Sequence, residues 1–195
     1  MTIFGADVDL WAATYVHPSA QIHGKVSGQS GCSIWANAVI RAESFEVVLG
    51  EHCNVQDFAM IHIGYHSGTY IGAYTSLAHN CTVHGARVGD NCLIGIGATI
   101  MDDSVIGNNT IVGSGALVLE GTQIPENSVV VGSPARVIKT TNNWVANRLN
   151  ALLYSRNAQA YQRENYRAWH GPEFDDFLVR ETARLEREFA AQTNQ

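Results

Sequence analysis

From Val88 onward the chain places an aliphatic residue at every sixth position: Val88, Ile94, Ile100, Ile106, Val112, Val118, Ile124 and Val130. Glycine often follows at once, as at Gly89, Gly95, Gly107 and Gly113. The same step runs upstream through Leu49, Val55 and Ile61, then through Ile71, Leu77 and Val83, and begins weakly near Val16 and Ile22. A period of six matches neither an amphipathic helix nor the alternation of a plain strand. It matches short strands joined by tight turns, with the aliphatic residue inward, glycine in the turn and small or polar residues outward. Three such hexapeptides close one triangular coil of 18 residues. The pattern therefore predicts a parallel β-helix.

The breaks in phase carry information of their own. Ile61 to Ile71 spans ten residues, as does Val39 to Leu49, and Val83 to Val88 spans five. Counted three steps to a coil, all three fall at one corner on successive rungs. Residues 42–48 and 64–70 are therefore expected to bulge side by side, and loops on a rigid solenoid commonly carry function.

The six-step ends near Val131. The phrase Gly132-Ser133-Pro134-Ala135-Arg136 stops it, because Pro134 has no N–H for another ladder. Asn142 and Asn143 are placed to cap a helix from about Trp144 to Trp169, with Val145, Leu149, Leu152 and Leu153 as the face toward the coil. His170-Gly171-Pro172 would break it, and residues 173–190 read as a second amphipathic helix, with fraying from Ala190. The expected organisation is a β-helix domain over 1–135 and a helical extension over 136–195 that packs on the coil.

Composition narrows the function. A formal net charge of −6 argues against nucleic acid or an anionic membrane surface as the main partner. The opening segment lacks the basic and apolar regions of a signal peptide, and no stretch approaches the roughly 20 apolar residues of a membrane span. Cys32, Cys53, Cys81 and Cys92 form no C-x-x-C pair. They read as reduced and structural, which suits a cytoplasmic location.

Three of the eight histidines, His62, His79 and His84, lie within Gln56–Gly85. His62 follows the inward Ile61 and His84 follows the inward Val83, 22 residues later, which is one coil plus the four-residue insertion. They are therefore expected to stack on adjacent rungs, about 4.8 Å apart. That spacing lets two imidazoles share one metal ion. His79 comes two places after Leu77, on a different face, where it stacks with Asp57. A triangular prism cannot easily bring the three together. Three prisms around a threefold axis can, with His62 and His84 from one subunit and His79 from the next. Three histidines plus an open position is the catalytic form of a zinc site.

These residues, read together, resemble the γ-class carbonic anhydrase family of hexapeptide-repeat proteins. The resemblance rests on Ile40-Arg41-Ala42-Glu43, Asn54-Val55-Gln56-Asp57, His62, His79-x4-His84-Gly85, Ile94-Gly95-Ile96-Gly97-Ala98 and Gly132-Ser133-Pro134-Ala135, and covers about Val16 to Lys139. It implies a left-handed coil, a homotrimer, and zinc, with iron or cobalt as the other candidates, held by His62, His79 and His84. It implies reversible hydration of carbon dioxide to bicarbonate. Gln56 would orient the nucleophile, and Arg41 and Asp57 would pair across the subunit boundary. Asn157-Ala158-Gln159-Ala160-Tyr161 is similar to a family stretch whose tyrosine points at the metal. Where the family has R-G-D, this chain has Arg41-Ala42-Glu43, so Glu43 would supply the carboxylate. Ser44 stands where the archaeal prototype has a glutamate, and the loop Gly64–Tyr70 lacks the prototype's proton-shuttling acid. His66 is the proton relay in this reading, since imidazole exchanges protons near neutral pH. Two rival classes share the repeat: an acyltransferase or thioesterase acting on a coenzyme A thioester, and a non-catalytic assembly module stabilised by metal.

Overall fold

A computed structural model describes residues 3–5 and 7–193; positions 1, 2, 6, 194 and 195 lie outside the described residues. The architecture is mainly β: a left-handed parallel β-helix of about 7 turns followed by two helices. One sheet covers two of the three faces. Its centre is the long strand Val39–Leu49. Met60–His62, Thr82–His84, Thr99–Ile100 and Leu117–Val118 extend it on one side; Thr69–Ile71, Arg87–Val88, Val105–Ile106 and Gln123–Ile124 extend it on the other. The second sheet stacks Tyr15–Val16, Ser33–Ile34, Asn54–Val55, Ser76–Leu77, Leu93–Ile94, Ile111–Val112 and Ser128–Val131.

The six-step column forms the core. Every member from Ile22 to Val130 is at most 7% exposed, and Ile40, Ile61, Val83 and Ile100 are fully buried. Burying one such side chain stabilises by roughly 1.5–3 kcal/mol. In one place the frame differs from expectation. Register pairs Ile40, not Val39, with Ile61 and Ile22, and Val39 is only half-buried. The break before Leu49 is therefore nine residues. The extra residues at 42–48 do not leave the sheet as a loop. They stay in the strand as it turns the corner, with a register shift against Gly24–Val26, and only Glu43, Ser44 and Phe45 are exposed. The next rung does form a loop, in which Gly64 N–H donates to the Ser67 carbonyl.

A second corner explains why the coil tolerates so many non-glycine residues in the left-handed region. His52, Tyr74, Asn91, Asn109 and Asn127 all have φ between 53° and 57°. Asparagine is the non-glycine residue best suited to this conformation. Here the asparagines are also joined rung to rung: Asn91 Nδ2 donates to Asn109 Oδ1 at 3.0 Å, and Asn109 Nδ2 to Asn127 Oδ1 at 3.1 Å.

All four cysteines are free and buried. Cys32, Cys53 and Cys92 donate Sγ–H to carbonyls of the following rung, at Gly50, Gly72 and Gly107. Burial pushes the Cys81 and Cys92 thiols up to about 12. A thiol in the unfolded chain titrates near 8.5, so the stability due to keeping these groups neutral is complete below about pH 8.5 and is lost as pH rises toward 12. We expect unfolding free energy to fall by about 1.4 kcal/mol per pH unit for each of these two thiols across that window. Urea titrations at pH 8 and pH 10.5 measure this. Rapid labelling of the native protein by a thiol reagent at pH 8 would contradict it.

After Pro134 the chain does not pass straight into helix. Arg136–Thr140 returns antiparallel along Ser128–Val131, a pairing that the period of six did not indicate. Helix α1 (Trp144–Tyr161) follows, shorter than the expected run to Trp169, and then turns lead to α2 (Pro172–Thr193). The residues from Ala190 to Thr193 are helical rather than frayed. Of the two expected caps only Asn142 acts, its Oδ1 accepting from Trp144 N–H at 2.9 Å; Asn143 has no side-chain cap bond. The buried stripe of α1 is Trp144, Asn147, Ala151, Ser155, Ala158 and Ala160, and Val145, Leu149, Leu152 and Leu153 are only half-buried. Small residues let the helix lie close to the outer face of the second sheet. Amides then join the two: Asn147 Nδ2 donates to the Asn91 carbonyl at 2.9 Å and Asn150 Nδ2 to Ser76 Oγ at 2.8 Å. No helix among the described residues is long and apolar enough to cross a membrane.

Candidate metal centre

Strand register sets the site. His23, Arg41, His62 and His84 occupy one position on four successive rungs of a single face. His62 Nδ1 stands 3.0 Å from His84 Nε2, with ring centroids 4.9 Å apart. Both imidazoles are anchored from behind. Glu43 Oε2 lies 3.0 Å from His62 Nε2, and Asp102 Oδ1 lies 2.7 Å from His84 Nδ1. Glu43 also pairs with the Arg41 guanidinium. Burial disfavours the Glu43 carboxylate, but its own backbone N–H, His62 and Arg41 outweigh that, and its pKa is held below the usual value.

His79 is not on a flat face. It sits in the corner turn that precedes the strand Thr82–His84, because the turn begins directly after Leu77 and Ala78. Its Nδ1 is 3.0 Å from Asp57 Oδ2, one rung below, which is the stacking expected from their spacing. His79 and His84 are thus five residues apart at opposite edges of one face, about 16 Å at the rise of an extended chain. One chain cannot close them on one ion. Among the described residues no group of three His, Cys, Asp or Glu side chains converges on a point.

The donor chemistry nonetheless fits a borderline-soft divalent ion. Two nitrogens bonded tetrahedrally to zinc at about 2.0–2.1 Å lie roughly 3.3 Å apart. The His62–His84 pair is at 3.0 Å in register, so small ring rotations suffice.

His79 and Asp57 open onto a cavity of about 590 Å³ walled by Trp35, Tyr154, Asn157, Tyr161, Tyr166 and Trp169. Tyr161, at the end of α1, reaches this cavity and packs edge-on against Trp35 at 4.9 Å and Tyr15 at 5.7 Å. Burial, with Asp57 nearby, raises the Tyr154 hydroxyl to about 12, so it is a donor throughout the neutral range.

The remaining residues expected at the site divide between the two edges. Gln56 is buried, and its Nε2 donates to Asn54 Oδ1 at 3.0 Å; Asn54 in turn donates to Ser76 Oγ. That chain runs to Asn150 of α1, so the helix fixes the Gln56 amide through two side chains. Arg41 lies beside His62, while Asp57 lies beside His79, so in one chain they pair with Glu43 and His79 rather than with each other. His66 is exposed in the 64–68 loop with its ring against Tyr65, and it does not line the His79 cavity. Asp102 escaped the reading of the histidine stretch. It falls 18 residues after His84, one uninterrupted coil, and the arithmetic that paired His62 with His84 would have found it.

Comparison with known proteins gives this geometry a family. The profile described as "Bacterial transferase hexapeptide (six repeats)" matches residues 85–120. The chain is 42% identical over 137 residues to a "Probable carbonic anhydrase" of Methanocaldococcus jannaschii, covering 69% of this chain and 86% of that protein. It is 34% identical over 183 residues to "Gamma carbonic anhydrase 1, mitochondrial" of Arabidopsis thaliana, covering 90% of this chain and 66% of that protein. A crystal structure of a hexapeptide transferase family protein from Anaplasma phagocytophilum superposes with a TM-score of 0.69 at 26% identity, covering 83% of this chain and 95% of that one. The identity to the first of these relatives, together with 37% identity over 192 residues to "Gamma carbonic anhydrase 3, mitochondrial" of Arabidopsis thaliana, covering 94% of this chain and 74% of that protein, means that the chain belongs to the γ carbonic anhydrase family of hexapeptide-repeat proteins.

Proposed function

We propose that the protein is a homotrimeric carbonic anhydrase with a divalent ion, zinc or else iron or cobalt, at each subunit boundary. The observation that carries the reading is the in-register His62–His84 pair at 3.0 Å, with His79 facing out from the opposite edge of the same face. Around a threefold axis one subunit's pair meets the next subunit's His79. The chemistry supplied by an ion in such a three-histidine site is a hydroxide nucleophile at neutral pH. The protein residues do the rest. Glu43 fixes the His62 ring. Gln56, held through Asn54, presents an amide whose orientation is fixed before substrate arrives. Arg41 and Asp57 face each other across the boundary, so neither charge is buried alone. Tyr161 and Asn157 wall the approach to His79, and His66 serves as the proton exit.

The test is stopped-flow hydration of carbon dioxide by protein purified without chelator, with its metal content measured alongside. Hydration above the buffer rate, together with about one ion per subunit, supports the proposal. A metal-bearing trimer with no hydration would make it a non-catalytic assembly module.

One observation favours a second reading. The cavity at His79 is far larger than a three-atom substrate needs and lies within the range of organic-ligand sites, roughly 300–1,000 Å³. A metal-free trimer that releases free thiol from acetyl-coenzyme A would establish an acyltransferase or thioesterase, with His79 as a base.

A further inference from the structure

The structure assigns to Asp102 the role of positioning residue for His84, a role that builds on the metal-site reading above. Three observations converge on it. Asp102 Oδ1 lies 2.7 Å from His84 Nδ1, with both side chains mostly shielded. A carboxylate accepts there, so His84 carries its proton on Nδ1 and leaves the Nε2 lone pair free. That Nε2 is the atom facing His62.

The backbone is shaped for this contact. A Cβ at Gly85 would sit 2.2 Å from Asp102 Oδ1, and one at Gly64 would sit 2.4 Å from the same atom. Gly85 is also in the left-handed region, with φ 56°. The carboxylate therefore rests on two bare Cα positions from two different chain segments, one at the loop after His62 and the other directly after His84. The rung itself is tied down, since Asp103 N–H donates to the Gly85 carbonyl and Gly121 N–H to the Asp102 carbonyl. Among the described residues Asp102 pairs with His84 and with no lysine or arginine. A surface aspartate with no such task would have no need of two glycines beneath it.

The function of a carboxylate behind a ligating imidazole is to fix tautomer and ring angle, and its loss typically weakens metal binding about 10–100-fold. We expect Asp102→Ala to lower Zn2+ affinity by about that factor, read by competition with a chromophoric chelator. In the metal-free protein, 15N-resolved imidazole signals of His84 should shift from the Nδ1–H form toward a mixture of tautomers. Gly64→Ala is the second variant. It leaves the aspartate in the chain but drives its carboxylate off Nδ1, so it should move both readouts in the same direction. Asp103→Asn, a neighbouring acid that does not touch His84, should move neither. Wild-type affinity together with an unchanged His84 tautomer in both variants would overturn the assignment. If the wild-type protein itself takes up no metal, the metal-site reading fails, while the tautomer measurement still decides the role of Asp102.

Discussion

His84→Ala is expected to empty the metal site and to reduce carbon dioxide hydration more than 100-fold, beyond the 10–100-fold typical of a lost supporting residue. The reason is geometric. His84 contributes one of two nitrogens already 3.0 Å apart, and its removal leaves His62 alone on its edge. His79 cannot take its place within the chain, since it sits in the corner at the far edge of the same face. The subunit arrangement allows a sharper form of the experiment. His79→Ala and His84→Ala each destroy every site in their own homotrimers. Mixed trimers refolded from equal amounts of both chains regain one complete boundary, where the intact His62–His84 pair of one variant meets the intact His79 of the other. Three-quarters of random trimers are mixed, so metal content should recover to about one quarter of the wild-type value. Recovery requires ligands from two subunits. If the mixture holds no more metal than either variant, the site is not shared between subunits.

How much of this was legible in the sequence depends on what each feature obeys. The coil was legible because one aliphatic position per hexapeptide is the price of closing a triangular core, and Ile94, Ile100 and Ile106 carry that signal without interruption. The His62–His84 contact followed from the same counting. The frame slipped where the signal is degenerate. Val39 and Ile40 are both β-branched and adjacent, and only register shows that Ile40 is inward. The coil-facing stripe of α1 was misread for a different reason. Hydrophobicity marks the half-buried leucines, whereas the contact with the coil is made by Asn147, Ala151 and Ser155. Close approach and specific amide bonds select those residues, and no apolar periodicity reports them. The pairing of Asp57 with His79 followed from their 22-residue spacing, whereas the pairing of Arg41 with Glu43 inside one chain did not, because the sequence reading turned Arg41 toward the neighbouring subunit.

Ile61→Ala is expected to cost the fold about 2–5 kcal/mol, in the upper half of that range. Ile61 is fully buried between Ile40 on one rung and Val83 on the next. Cavities are cheapest where the surroundings can collapse, and here they cannot. Hydrogen-bonded neighbours hold its strand at fixed spacing on both sides, and the prism has no flexible layer to move inward. Melting temperature should fall roughly 7–20 °C for a chain of this size. The same substitution at Ile138, which is 63% exposed on the antiparallel return strand, should stay within about 0.5 kcal/mol of wild type. The effect should also reach function. Ile61 immediately precedes His62, so a strand that sags into the cavity carries the ligand out of register with His84. Metal affinity should then weaken in Ile61→Ala and not in Ile138→Ala, measured by the chelator competition used for Asp102. A loss of stability with metal affinity intact would mean that the rungs relax independently of the site. The rigid spacing of the coil would then not be what holds the two histidines together.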